Sequence, residues 1–133
     1  MQQEEKINWA ILVTGWGRNA RDTISLFEKG KFKNSELKLL VYEQEPCGAK
    51  ELAEKYGVET LKLIKNKFPS LLAYQSQLTK EIQKRNIDYV FMLNYKYIIK
   101  EDMLNAFPNK IVNIHPSLFP SFLATKTAIQ DAL

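Results

Sequence analysis

The sequence holds one cysteine and one histidine among 133 residues. A lone Cys47 excludes an intramolecular disulfide. With His115 distant from it along the chain, neither a metal-ligand cluster nor a Cys/His nucleophilic pair is expected. Such cysteine usage suits a reducing compartment, so the cytoplasm is the expected location. No apolar run approaches the roughly 18 residues of a membrane span. The N-terminus, Met1-Gln2-Gln3-Glu4-Glu5-Lys6, is polar and acidic, unlike a signal peptide. The excess of one sign of charge is small too. The 19 Lys and Arg are mixed with 15 Asp and Glu, leaving a net charge of +4. That balance describes a solvated surface better than a nucleic-acid footprint, and it is compatible with a small anionic substrate.

What is present is ordinary for a globular chain: 45% hydrophobic and 26% charged residues, enough for one core without staples. Residues 1–6 read as a polar tail and 7–133 as one α/β domain. Trp9 to Val13 is an apolar run of strand length, ended by Thr14-Gly15-Trp16-Gly17. Ala20 to Lys29 carries Ile24 and Phe27 at helical spacing and stops at Gly30, a plausible C′ glycine. Leu37 to Tyr42 reads as the second strand, Gly48 to Tyr56 as a helix closed by Gly57, and Val58 to Leu63 as a weaker strand. Ser70 to Arg85 is the clearest helix, because Leu71, Tyr74, Leu78 and Ile82 form one stripe. Tyr89 to Leu93 is a near-continuous apolar run, as in a strand covered on both faces. A short helix at Glu101 to Ala106 precedes a strand at 110–114, and Thr125 to Leu133 reads as the start of another helix. That helix has no C-cap, so the domain is expected to be truncated at its C-terminal end. Alternating strands and helices imply a mostly parallel sheet with right-handed crossovers.

Two loops carry candidate chemistry. Gly15-Trp16-Gly17-Arg18-Asn19-Ala20 follows a strand and opens a helix, where a tight turn and exposed N–H groups suit a phosphate. Formally it is also the G-x-G-x-x-A variant of the dinucleotide fingerprint, with Glu43 placed as a ribose-binding acid. An anion site, a nicotinamide site and plain turn chemistry all remain open from this loop alone. The second is Asn113-Ile114-His115-Pro116-Ser117-Leu118-Phe119-Pro120. Asn113 and His115 lie two residues apart at a strand end and so face one side of the sheet, at the edge where open α/β sheets place their ligands. A structural histidine is the competing reading.

Together these segments resemble the folate-dependent formyltransferase family, most of all the N-terminal part of its glycinamide ribonucleotide branch. The family's S-G-x-G-S/T-N is similar to Thr14-Gly15-Trp16-Gly17-Arg18-Asn19, and its N-I-H-P-S/A-L-L-P is similar to residues 113–120, with Phe119 in place of a leucine. The lead-in Phe107-Pro108-Asn109-Lys110-Ile111 also matches, and the resemblance runs from Ile7 onward. It implies a three-layer, Rossmann-like, mostly parallel sheet with helices on both faces. It further implies transfer of a formyl group from 10-formyltetrahydrofolate, without a metal, to a primary amine, with glycinamide ribonucleotide of purine biosynthesis as the expected acceptor. Relatives acting on aminosugar nucleotides or methionyl-tRNA share the core. Asn113 and His115 would be catalytic. Gly15, Gly17, Arg18 and Asn19 would hold the substrate phosphate, and Met92, Leu93, Asn94, Tyr95 and Tyr97 would form the folate wall. No nucleic acid or membrane partner is implied, and oligomeric state is left open with a homodimer among the options.

The implied chemistry fits the residue types. An amine attacking a formyl carbon creates an oxyanion, which an amide N–H and an imidazole N–H can stabilise. A proton must also pass from amine to folate nitrogen. Three departures stand out. Arg18 replaces a serine or threonine, Leu93-Asn94-Tyr95 replaces A-G-F/Y, and residues 121–127 lack the family's glycine. The family also has a supporting aspartate one strand further on, and Asp131 comes too early to be it. The chain as written is therefore expected to transfer formyl groups inefficiently. A nicotinamide-dependent oxidoreductase and a non-catalytic module with the folate fold are the alternatives.

Overall fold

The computed structural model describes residues 6–114. Five strands, β1 (Ile7–Leu12), β2 (Ser35–Tyr42), β3 (Glu59–Lys62), β4 (Tyr89–Leu93) and β5 (Ile111–Ile114), form one sheet in the order β3-β2-β1-β4-β5. Every neighbouring pair is parallel. Four α-helices connect them: α1 (Arg18–Glu28), α2 (Gly48–Lys55), α3 (Leu71–Gln83) and α4 (Glu101–Ala106). The Rossmann-like α/β architecture implied by the sequence is thus the one observed. The third strand is shorter than expected, and a 3-10 turn at Lys65–Lys67 follows it.

Alternation along the strands builds two cores. Trp9, Ile11 and Val13 of the first strand segment join Ile24, Leu52 and Ala53 of α1 and α2 on one face. Ala10 and Leu12 meet Tyr74, Leu78, Ile82 and Met103 of α3 and α4 on the other. Strict alternation would put Leu37 and Leu40 on opposite faces. They share one, because the β1–β2 register shifts between Trp9 and Ala10 and leaves Lys38 as an extra, exposed residue. Trp9 stacks on Tyr89 and Phe91 across the strands, with ring centroids 4.9 and 4.5 Å away.

The helix ends follow from local chemistry. Ser70 Oγ accepts the Ala73 N–H at 3.0 Å and starts α3. Helix α1 begins at Arg18, two residues earlier than its apolar spacing indicates, because Gly17 at φ 86° turns the chain directly into it. An alanine Cβ at Gly17 would also press on Ala49 at 2.8 Å, so the glycine is needed twice. The chain runs from β1 to β2 and β3 on one side and to β4 and β5 on the other. The direction reverses between β1 and β4, the point at which open α/β sheets place a ligand crevice. The expected terminal helix lies outside the described residues.

Candidate active site

Asn94 organises this crevice. It follows β4 with φ at 60°, a left-handed conformation that asparagine tolerates better than other non-glycine residues. Its carbonyl accepts both the N–H of Thr14 at 3.0 Å and the hydroxyl of Thr14 at 2.9 Å. Thr14 Oγ1 in turn accepts the Lys96 N–H at 3.2 Å. The Asn94 side chain then reaches the start of α1, where Oδ1 accepts the Asn19 N–H at 3.2 Å. Gly17 offers α1 no side-chain cap, so the helix is capped from the loop after β4. The glycine-rich loop is thereby joined to the loop after β4 through Thr14 and Asn19.

The glycine-rich loop also leans on α2. Trp16 lies against Gly48, where any Cβ would clash with the indole ring. Its carbonyl accepts the Ala49 N–H at 3.2 Å and faces the Cys47 thiol at 3.5 Å. Cys47 is 1% exposed, and its sulfur accepts the Lys50 N–H as the α2 cap. The lone cysteine is therefore structural. Arg21 donates to the Gly48 carbonyl at 3.2 Å and lies over the Trp16 ring at 5.5 Å. Arg18 is exposed, and no acidic residue occupies the first turn of α1. Two arginines at the positive end of a helix are each disfavoured by roughly 0.3–1 kcal/mol. A bound anion would reverse that sign.

The opposite wall is a tyrosine network. Tyr97 donates its hydroxyl to both oxygens of Glu43, at 2.7 and 2.9 Å, and Glu43 also accepts the Lys65 N–H at 3.0 Å. The Tyr95 and Tyr74 hydroxyls are 3.0 Å apart. Burial pushes the Tyr95 phenol up to about 12 and raises Tyr74 and Tyr97 further, so all three are neutral near pH 7. Wholly buried Gln75 donates to the Ile98 carbonyl and accepts from the Lys100 N–H, each at 2.8 Å. The 94–100 loop is thus clamped onto α3. Ile98 itself is 75% exposed and gives this loop an apolar surface.

Met92 and Leu93 do not offer side chains to a ligand. They are 5% and 0% exposed, one in each core, because β4 is central and covered on both faces. Asn113 pairs in register with Met92 on β5 and is exposed. His115, Ser117 and the rest of the octapeptide lie outside the described residues. Glu43, the expected ribose acid, spends its carboxylate on Tyr97 and Lys65, which removes the basis of the nicotinamide reading. Among the described residues no group of His, Cys, Asp and Glu could hold a metal ion, and no helix is long and apolar enough to cross a membrane. Sequence reasoning missed Trp16 as a packing wedge and Gln75 as a clamp. Only the polar interruption of the α3 stripe hints at the second.

Comparison with known proteins places this geometry. The formyl transferase family model matches residues 7–133. The chain is 34% identical over 114 residues to the chloroplastic phosphoribosylglycinamide formyltransferase of Arabidopsis thaliana, covering 85% of this chain and 39% of that protein. Among solved structures, glycinamide ribonucleotide transformylase 1 from Symbiobacterium toebii superposes with a TM-score of 0.80 at 28% identity, covering 98% of this chain and 63% of that one. Its Geobacillus kaustophilus counterpart gives 0.78 at 30% identity, covering 96% and 67%. The chain thus spans well under half of the Arabidopsis protein.

Proposed function

Because the chain belongs to the formyl transferase family, we propose that it transfers a formyl group from 10-formyltetrahydrofolate to the primary amine of glycinamide ribonucleotide, in purine biosynthesis. The observation that carries this reading is the junction at the β1/β4 switch point, where the glycine-rich loop and the 94–100 loop are joined through Asn94. The former supplies a positive helix end for the acceptor's phosphate. The latter supplies Tyr95, Tyr97 and exposed Ile98 for a pterin, with hydroxyls that stay protonated near pH 7. Asn113 sits at the C-terminal end of β5, on the same edge. Its amide and the imidazole of His115 would stabilise the oxyanion formed when the amine attacks. His115 would also move the proton from the amine to the leaving folate nitrogen.

The direct test supplies both substrates and follows tetrahydrofolate release. Turnover that needs glycinamide ribonucleotide supports the reading. Equal turnover without an amine would show a hydrolase, and turnover only with an aminosugar nucleotide would redirect the acceptor.

A further inference from the structure

The loop after β4 does not stay beside its own strand. The Thr14 hydroxyl, just past the end of β1, donates to the Asn94 carbonyl and accepts the Lys96 N–H, so the loop crosses the end of β1. Tyr97 then reaches the end of β2, where both oxygens of Glu43 accept its hydroxyl at 2.7 and 2.9 Å. In the order β3-β2-β1-β4-β5 that is two strands away from β4, roughly 10 Å at the usual strand spacing. Asn113 lies on β5, the neighbour of β4 on the other side. The Tyr97 ring meets Tyr74 and Tyr95 edge-on, with centroids 5.5 Å away in each case. The Tyr74 and Tyr95 hydroxyls are themselves 3.0 Å apart, so the three rings form one unit. Glu43 is seated in turn on the Lys65 N–H at 3.0 Å. A hydrogen bond to a carboxylate is roughly twice as strong as one between neutral groups, which makes half-buried Glu43 a firm anchor for this unit.

We propose that Glu43 is a positioning residue for folate binding. Through the Tyr97 hydroxyl it holds the 94–100 loop and its tyrosines over the ends of β1 and β2, and so keeps the β4–β5 edge beside Asn113 open to the reduced folate. The proposal takes its ligand from the formyl-transfer reading and adds to the site a residue that follows β2. Glu43 touches no reacting atom. It acts on the population of loops able to bind, because a loop that visits other positions binds with an affinity reduced by the competent fraction.

Calorimetric titration of the full chain with tetrahydrofolate tests this. Glu43→Ala should weaken binding about tenfold, the scale of one hydrogen bond to a charged group. Tyr97→Phe keeps the ring and the Lys65 contact, loses only the hydroxyl, and should match it. Glu43→Gln retains an acceptor for the phenol and should recover most of the affinity. Both losses break the same link, so the double variant Glu43→Ala with Tyr97→Phe should be no weaker than the weaker single. Unaltered affinity in either single variant would overturn the proposal. So would a glutamine no better than alanine, or a double variant in which the losses multiply. Circular dichroism melts show that each variant is folded at the titration temperature. Tryptic cleavage after exposed Lys96 reads the loop without a ligand, and should be faster in Glu43→Ala and Tyr97→Phe than in the parent or Glu43→Gln. A parent that binds no tetrahydrofolate but shows this cleavage pattern sinks formyl transfer and leaves the anchor standing. A parent that binds folate no better than Glu43→Ala sinks the anchor and leaves formyl transfer standing.

Discussion

Gln75 is wholly buried on α3 and donates through Nε2 to the carbonyl of Ile98, 2.8 Å away in the loop after β4. Its other amide atom accepts the Lys100 N–H, so one side chain satisfies two backbone groups of an irregular segment. Replacing it with leucine would strand both. Gln75→Leu is expected to lower unfolding free energy by about 2–3 kcal/mol, the cost of leaving buried polar groups unpaired. It should also weaken reduced-folate binding by loosening the 94–100 loop. Urea unfolding and folate titration check the two effects. A stability loss with unchanged folate affinity would confine Gln75 to packing.

The contact of Trp16 with Gly48 is as specific. A methyl group at position 48 has no space unless the indole moves, and moving it frees Arg21 from the aromatic face. Gly48→Ala should destabilise the chain by about 1–3 kcal/mol, typical of overpacking. It should also shift the emission of Trp16, which is 46% exposed. Emission indistinguishable from the parent would mean that the ring is not seated on Gly48.

Arg85 predicts a pH dependence. It forms a two-pronged bond to Glu59, at 3.0 and 2.8 Å, and reaches Glu81 Oε1 at 2.9 Å. These bonds hold both carboxyls below their ordinary value. A group whose pKa is depressed by folding contributes stability above its unfolded pKa and loses it as pH falls through the folded one. Arg85→Met should therefore cost about 1 kcal/mol at neutral pH, a modest value because Glu59 is half exposed. The difference between parent and variant should shrink as pH falls below the ordinary carboxylate range and vanish once both carboxyls are protonated. A difference that persists in acid would trace to packing of the arginine stem.

Periodicity made the fold legible. Leu71, Tyr74, Leu78 and Ile82 announced α3, and the continuous apolar run at 89–93 announced a central strand; both are found. Boundaries were less legible where caps are unusual. Helix α1 starts on a left-handed glycine without a side-chain cap, so no Ser, Thr or Asp marked it. The site was legible as motifs and not as connections. Asn94 looked like a bulky intrusion into the folate wall, yet it caps a helix 75 positions away. Gln75 stands among the apolar residues of α3 with no local partner, and its partners lie 23 and 25 positions on. Such long-range hydrogen bonds leave no local pattern to read.

The catalytic assignment carries the remaining prediction. Asn113 is placed on β5 beside Met92, and His115 follows that strand in sequence. If both serve the oxyanion and the proton transfer, they act on the transition state far more than on bound folate. Alanine at either position should then lower kcat by about 10²–10³, the range for loss of an oxyanion donor or a general acid–base, while folate affinity stays within about threefold, since only ground-state binding sets it. The double variant should lose little beyond the worse single, because groups acting on one transition state are not additive. Steady-state kinetics with parallel folate titrations decide it. Equal losses in kcat and folate affinity for His115→Ala would make the histidine structural and leave Asn113 to act alone.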